Sequence, residues 1–343
     1  MQDKIQKIIA GMKGIQSGMN ETCPIGIISM ENWEWTQGVA LFALFSYYRK
    51  TKDPALLEYL TGWFDRQIKK GLPDKNVNTM CPMLTMAYLY EETGNAAYLP
   101  FLEEWADYAV YHMPRAGEGA IQHVVSGHAN DGQIWDDTLY MTVLFIAKTG
   151  VLLGRQEYVD ESIYQFLVHI KYLTDPKTGL LFHGFTFRGR HHFAGALWGR
   201  GNSWYTAGLV DYLEIVKLPA SVERFLLAGL KTQVNALVER QDAGGLWHTL
   251  LDDPDSYLET SASAAIGYGI LKAVRKGYLP ASYKAYGDKA LSGVLSMIGE
   301  DGTVDGVSYG TPVFERLEDY KKIEVCPMPY GQSMALMLLA EAE

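Results

Sequence analysis

The sequence predicts an all-α protein, an (α/α)6 toroid in which six helical hairpins close into a two-layer barrel, with residues 1–343 forming one domain. Three observations predict it: a helix–corner–helix–loop grammar that repeats along the chain, two kinds of helix within each repeat, and a final apolar run, 334–340, that reads as an inner helix. An open solenoid would need a polar capping repeat at that end.

The repeat shows first in its corners. Short polar stretches at 48–53, 90–95, 147–150, 214–217 and 273–277 each end one helix and begin another. The return loops align as well: Gly119, Gly179, Gly245 and Gly302 open loops that end at His123, His183, His248 and Asp305. Successive loops are roughly 60 residues apart, the length of two helices with their connections.

Each repeat pairs two helix types. Leu56, Leu57, Leu60, Phe64 and Ile68 make one apolar stripe, while Glu58, Asp65 and Lys69 face away, the pattern of an outer helix with one wet side. The preceding run, Gly38 to Ser46, is apolar on all sides and must be enclosed. Six pairs fit if 1–17 and 328–343 supply the terminal helices.

Composition narrows the function. The 343 residues are 48% hydrophobic and 20% charged, with 22 Tyr and 8 Trp, so a large core leaves aromatic side chains for other work. A net charge of −10 without a Lys/Arg run argues against nucleic acid and anionic membranes, which require a basic patch. Cys23, Cys81 and Cys326 are odd in number and widely spaced, which suits neither a disulfide framework nor a zinc knuckle. With no apolar leader in 1–14 and no run near the ~20 residues that span a bilayer, the chain reads as cytoplasmic.

In a toroid, the loops entering the inner helices converge at one end of the axis, so a pocket there is lined by the helix starts. Those starts combine aromatics with a few polar groups: Trp33 and Trp35; Asn76 and Asn78; Trp135, Asp136 and Asp137; Trp198, Arg200, Asn202 and Trp204; Tyr257 and Glu259; Tyr330. Aromatic faces stack on the C–H surfaces of sugar rings while amides, carboxylates and guanidinium groups read hydroxyls. His191 and His192 lack a third ligand at metal spacing, and no phosphate loop, dinucleotide fingerprint or nucleophile elbow is present. No metal or cofactor is expected.

Three motifs in order, 133–141, 198–204 and 257–263, resemble glycoside hydrolase family 105, the unsaturated rhamnogalacturonyl hydrolases, and the likeness runs from Trp33 to the last helix. The resemblance implies removal of a Δ4,5-unsaturated uronic acid from a lyase-generated oligosaccharide, with a single essential aspartate that falls on Asp137. One acid suffices because the substrate is an enol ether. Protonating C4 and adding water at C5 gives a hemiketal that opens by itself, whereas ordinary glycosidases need two carboxylates. The resemblance further implies binding roles for Trp35, Asn78, His123, Trp135, Met141, His183, Trp198, Arg200 and Trp204. Arg200, flanked by Gly199 and Gly201, is expected to hold the uronate carboxylate through paired N–H bonds.

Several points stay open in the sequence. Asp136 reads as an N-cap or first-turn acid. Glu259 either faces the pocket or caps its helix, and Asn78 stands where some relatives carry an acid. A helix N-terminus also favours an ionised Asp137, so desolvation in the aromatic pocket must oppose it if Asp137 is to hold a proton near neutrality. The alternatives are a sugar epimerase or inverting glycosidase, needing a second acid such as Glu34, Asp131 or Glu259, and a non-catalytic sugar-binding protein.

Overall fold

A computed structural model describes residues 1–15 and 28–343. Helix α1 spans Gln2–Gly14, α2 Trp35–Thr51, α3 Pro54–Lys70, α4 Cys81–Thr93, α5 Leu99–Asp107, α6 Leu144–Leu153 and α7 Gln156–Leu173. Helix α8 spans Gly199–Ile215, α9 Ala220–Val238, α10 Thr260–Arg275, α11 Lys284–Ser296, α12 the short Leu317–Tyr320 and α13 Pro329–Ala342. The corners stop and start these helices as their residues dictate. Lys52, Gly94 and Gly154 take the left-handed conformation after α2, α4 and α6, and the Asp53 side chain accepts the Ala55 N–H to cap α3.

Helices α2, α4, α6, α8, α10 and α13 form the inner ring, each packed on the next, and α13 returns to α2 to close it. Helix α8 is buried without a break from Gly199 to Tyr212. Its outer counterparts bury one stripe; α3 does so through Leu56, Leu60, Trp63, Phe64 and Gln67. Five of the outer helices are α3, α5, α7, α9 and α11. The sixth is α1, from the other end of the chain, which covers α13. This is the (α/α)6 toroid.

The return-loop glycines are required by geometry. Gly119, Gly179, Gly245 and Gly302 have φ of 74°, 78°, 98° and 88°, a region that L side chains rarely enter. A Cβ on Gly179 would meet Thr232 of α9, one on Gly245 would meet Lys289 of α11, and one on Gly302 would meet Lys7 of α1. The same loop-to-outer-helix contact thus recurs around the ring and carries across its seam.

Two features differ from a purely helical reading. Short antiparallel ribbons join the loops at the site end: β1 (Gln133–Trp135) with β2 (Gly184–Thr186), and β3 (Trp247–His248) with β4 (Leu258–Glu259). A π turn over Leu139–Val143 leads into α6. The end of the N-terminal helix expected at 16–17, and Cys23, lie outside the described residues; Cys81 and Cys326 are buried. Among the described residues no helix is long and apolar enough to cross a membrane.

Candidate active site

The ribbon β1–β2 positions the acidic pair. Its pairing sets Trp135 against Gly184, and the Asp136 N–H donates to the His183 carbonyl at 3.0 Å, so the Asp136–Asp137 step is held directly beside His183. The His123 N–H donates to the Gln133 carbonyl at 3.0 Å, bringing the first histidine loop to the same place. The two loops read from the sequence as repeats therefore deliver their histidines to one acidic pair.

The side chains form a nest around Asp137. The His123 ring stacks on Trp135 at 4.2 Å and 14°, and its Nδ1 lies 2.9 Å from the Thr138 hydroxyl. Trp135 meets His183 edge-on at 5.4 Å, and His183 lies against Trp198 at 4.0 Å. His183 Nε2 is 3.4 Å from Asp137 Oδ2. On the far wall, Trp35 stacks on Tyr330 at 4.6 Å and meets Trp204 edge-on at 6.2 Å, while Tyr140 packs on Trp204 at 4.9 Å. Met141 is buried behind this wall. Asn78 is half-buried, its backbone N–H held by the Asn76 side chain at 2.9 Å.

The tautomer of His183 follows from its other nitrogen. The Tyr320 hydroxyl, which accepts the Phe314 N–H at 3.3 Å, lies 2.9 Å from His183 Nδ1 and can donate to it, the arrangement favoured when the Asp137 carboxylate beside Nε2 draws the ring hydrogen to that nitrogen. Nε2 then carries hydrogen and points at Asp137. Burial holds His183 below its ordinary pKa against the opposing pull of Asp137, and burial brings His123 down to about 3. Both histidines are neutral donors at pH 7.

The two aspartates differ sharply. Asp137 keeps 15% of its side-chain surface exposed, whereas Asp136 is 0% exposed. Burial and the neighbouring Asp137 push Asp136 well above the usual carboxyl range. Burial also opposes ionisation of Asp137, but His183 above all, followed by His123 and Asp136, outweighs it and holds Asp137 low. No backbone N–H is capped by Asp136, contrary to the reading of it as an N-cap; neither of its oxygens has a hydrogen-bond partner among ordinary donors.

Arg200 is placed otherwise than expected. It is 1% exposed, sandwiched between the Trp198 and Tyr330 rings at 4.6 and 4.9 Å. Nη1 donates to the Ser308 carbonyl at 2.8 Å and to its hydroxyl, and Nη2 donates to the Tyr309 carbonyl at 3.0 Å and Thr311 Oγ1 at 3.1 Å. With both terminal nitrogens engaged, no pair of N–H groups is left to clasp a ligand carboxylate. Arg200 instead fastens the 308–311 segment to α8.

Glu259 caps its helix. It accepts from Ser261 Oγ, from the Ala262 N–H at 2.5 Å and from the Ser308 N–H at 2.8 Å, and it lies 3.7 Å from Arg200. Asp131 is exposed and pairs with Arg188 at 3.1 Å. Glu34 caps α2 through the Trp35 N–H and accepts from Ser126 at 3.1 Å, with burial raising its pKa. Asp136, Asp137 and His183 bring ligand-type atoms within 4.8 Å of one another. Chain adjacency and the His183 hydrogen bond account for that closeness, and no metal is assigned to it.

Sequence reasoning missed Tyr320, Ser308 and Thr138. Thr138 follows the acidic pair and could have been suspected from that. The other two sit in an irregular segment without periodicity.

The family model described as Glycosyl Hydrolase Family 88 matches residues 11–343. This chain belongs to that family, in the branch known as family 105. Unsaturated rhamnogalacturonyl hydrolase YesR of Bacillus subtilis is 36% identical over 312 residues, 90% of this chain and 89% of that protein. A crystal structure from Salmonella enterica, described as that of a possible family 105 member, is 45% identical with a TM-score of 0.97, covering 99% of this chain and 93% of the other. The unsaturated glucuronyl hydrolase of Bacillus sp. GL1, at 18% identity and a TM-score of 0.72 over 98% of this chain and 94% of that one, shares the fold.

Proposed function

We propose that this member of family 105 removes a Δ4,5-unsaturated uronic acid from the non-reducing end of a lyase-generated oligosaccharide, by hydrating the enol ether. The observation that carries the reading is a single partly open carboxyl, Asp137, set against a buried neutral histidine inside an aromatic nest. Asp137 donates a proton to C4. Positive charge develops at C5 and the ring oxygen, and the resulting carboxylate then takes a proton from water as its oxygen adds to C5. The hemiketal opens and releases the remaining sugar. His183 Nε2–H holds the carboxylate in line, and Trp35, Trp135, His123 and Trp204 supply ring-stacking walls, with Asn78 at the rim. Trp198, Met141 and Arg200 support these walls from behind. The likeness to YesR, an unsaturated rhamnogalacturonyl hydrolase, makes unsaturated galacturonate linked to rhamnose the first substrate to try. A cytoplasmic setting belongs to this proposal.

The test is incubation with unsaturated disaccharides from pectin, ulvan and glycosaminoglycans. Loss of the conjugated enoate's ultraviolet absorbance supports hydration. Cleavage of a saturated glycoside, with the absorbance of unsaturated substrates untouched, would point to Glu34 as a second acid and overturn the proposal.

A further inference from the structure

The mechanism needs a proton on Asp137, yet the structure favours its ionised form. Asp137 sits at the entry to a helix, where the backbone dipoles stabilise negative charge, and the His183 N–H points at it. A carboxyl held this way would donate a proton only in acid. Beside it stands a second carboxyl with the opposite surroundings. Asp136 is wholly enclosed, lies beneath Gly201, where any Cβ would collide with its oxygens, and completes no well-formed hydrogen bond, with only its own and the Asp137 backbone N–H groups nearby to oppose the effect of burial. An isolated buried carboxylate is costly, so such a group either finds a donor or stays protonated. The neighbour within reach is Asp137, whose ligand atom lies within 4.8 Å of that of Asp136.

Resting on the hydration reading above, we propose that Asp136 stores the proton that Asp137 delivers: the two adjacent carboxyls hold one proton between them, resident on Asp136 in the free enzyme. When an anionic substrate excludes water from the nest, its negative charge disfavours the ionised Asp137, and the proton passes from Asp136 to the neighbouring Asp137 on its way to C4. The cycle balances. One proton leaves the pair for C4, and the water that adds at C5 returns one to Asp137, from which it passes back to Asp136. Two carboxyls in contact cannot both ionise easily, so the pair stays singly protonated across neutral pH.

The surrounding groups leave this proton to the pair. His183, from the loop before β2, and His123, from the loop before β1, are neutral. Burial keeps the Tyr320 hydroxyl protonated. Arg200, on the same turn of α8 as Gly201, is matched by Glu259. Gly201 completes the device because a larger residue would occupy the space that the Asp136 carboxyl fills.

The experiment compares Asp136→Asn with Asp137→Asn across pH on an unsaturated disaccharide, with carboxyl C=O infrared difference spectra of the same proteins without substrate. In Asp136→Asn, kcat at pH 7 falls about 10- to 100-fold and recovers toward the wild-type value as pH is lowered, because Asp137 must then be protonated from solution. Asp137→Asn recovers at no pH. The wild type shows a protonated-carboxyl band at pH 7 that Asp136→Asn lacks. Asp136→Leu, which also removes the store but suits an apolar site, repeats the kinetic result if the amide does not fold. A wild-type pH profile in Asp136→Asn or Asp136→Leu, or a band that survives these substitutions, overturns the proposal while leaving hydration standing. A wild type inert on every unsaturated disaccharide overturns the hydration reading, and the infrared band still decides where the proton resides.

Discussion

The two ends of the toroid treat their polar groups in opposite ways. At the end where the inner helices finish, a cavity of about 540 Å³ is lined by Arg49, Lys272, Arg275 and Lys276 together with Asp211, Glu214 and Glu341. The charges there are cross-linked. Lys272 donates to Asp211 at 2.5 Å and also pairs with Glu214, which in turn holds Lys276; Arg275 bonds Glu341 at 2.5 Å. At the end where the inner helices begin, more buried polar atoms are left over, Trp198 Nε1, Trp204 Nε1, Arg200 Nε and both oxygens of Asp136, against Oδ2 of Asp211 in the rear cluster. Stability asks for satisfied groups, whereas recognition and proton transfer need capacity held in reserve. In this molecule unsatisfied polarity, more than the size of the space, separates the working end from the structural one.

Substitutions at the two ends should therefore divide into losses of turnover and losses of stability. The largest effect is expected at Asp137. Asp137→Asn keeps Tm within a few degrees and lowers kcat by about 10²–10⁴-fold, since the amide fills the same space but cannot donate and retake a proton. Steady-state kinetics beside thermal melts check this, and near-normal turnover would remove Asp137 from the mechanism.

Lys272→Ala tests the rear. It leaves the buried Asp211 without a cation and Glu214 with Lys276 alone, which should destabilise the fold by about 3–5 kcal/mol while kcat per folded molecule is unchanged. Denaturant melts read the first quantity and active-site-normalised rates the second. A rear variant that is stable but slow would erase the contrast.

Arg200 sharpens the comparison because it is a structural pin at the working end. Arg200→Ala should lose stability and lower kcat/KM about tenfold for both a uronate substrate and its methyl ester, as the 308–311 segment detaches. If only the acid suffers, Arg200 reads the substrate carboxylate after all. Tyr320→Phe should do less, lowering kcat by up to about tenfold with KM nearly unchanged, because it frees the tautomer of His183 without touching substrate.

The smallest expected effect is in stability against pH. The folded-state pKa of Asp136 is raised, so its contribution is fully present below the unfolded value, about 3.9, and is lost as pH rises through the folded value. Wild-type Tm should fall on the alkaline side. In Asp136→Asn that part of the decline should flatten, as a Tm–pH series would show.

The sequence made the ring legible because its devices are local. Glycines at recurring loop positions, polar corners and the contrast between Gly38–Ser46 and the Leu56–Ile68 stripe each report on a few neighbouring residues. Asp137, His123 and His183 were legible through the motif and the repeat. What escaped depends on contacts distant in the chain. Tyr320 meets His183 across 137 positions, and no pattern in the irregular segment around it announces that meeting. Arg200 was misjudged for the same reason. Flanking glycines suggested an approach to a ligand, whereas Gly201 makes room for Asp136 and the guanidinium is claimed by Ser308, Tyr309 and Thr311. The open question at Glu259 was settled by Ser308, again far away in sequence. Ribbons of two or three residues are too short to show alternation.

The seam of the ring sets an order of events during synthesis. Trp35 belongs to the first inner helix, yet its stacking partner Tyr330 belongs to the last, and α1 packs chiefly on α13. A nascent chain thus carries nearly all of its helices before it owns a working pocket. Until the final hairpin leaves the ribosome, the apolar flanks of α2 and α10 face a lengthwise slot, which makes the late intermediate the stage most exposed to aggregation or chaperone capture.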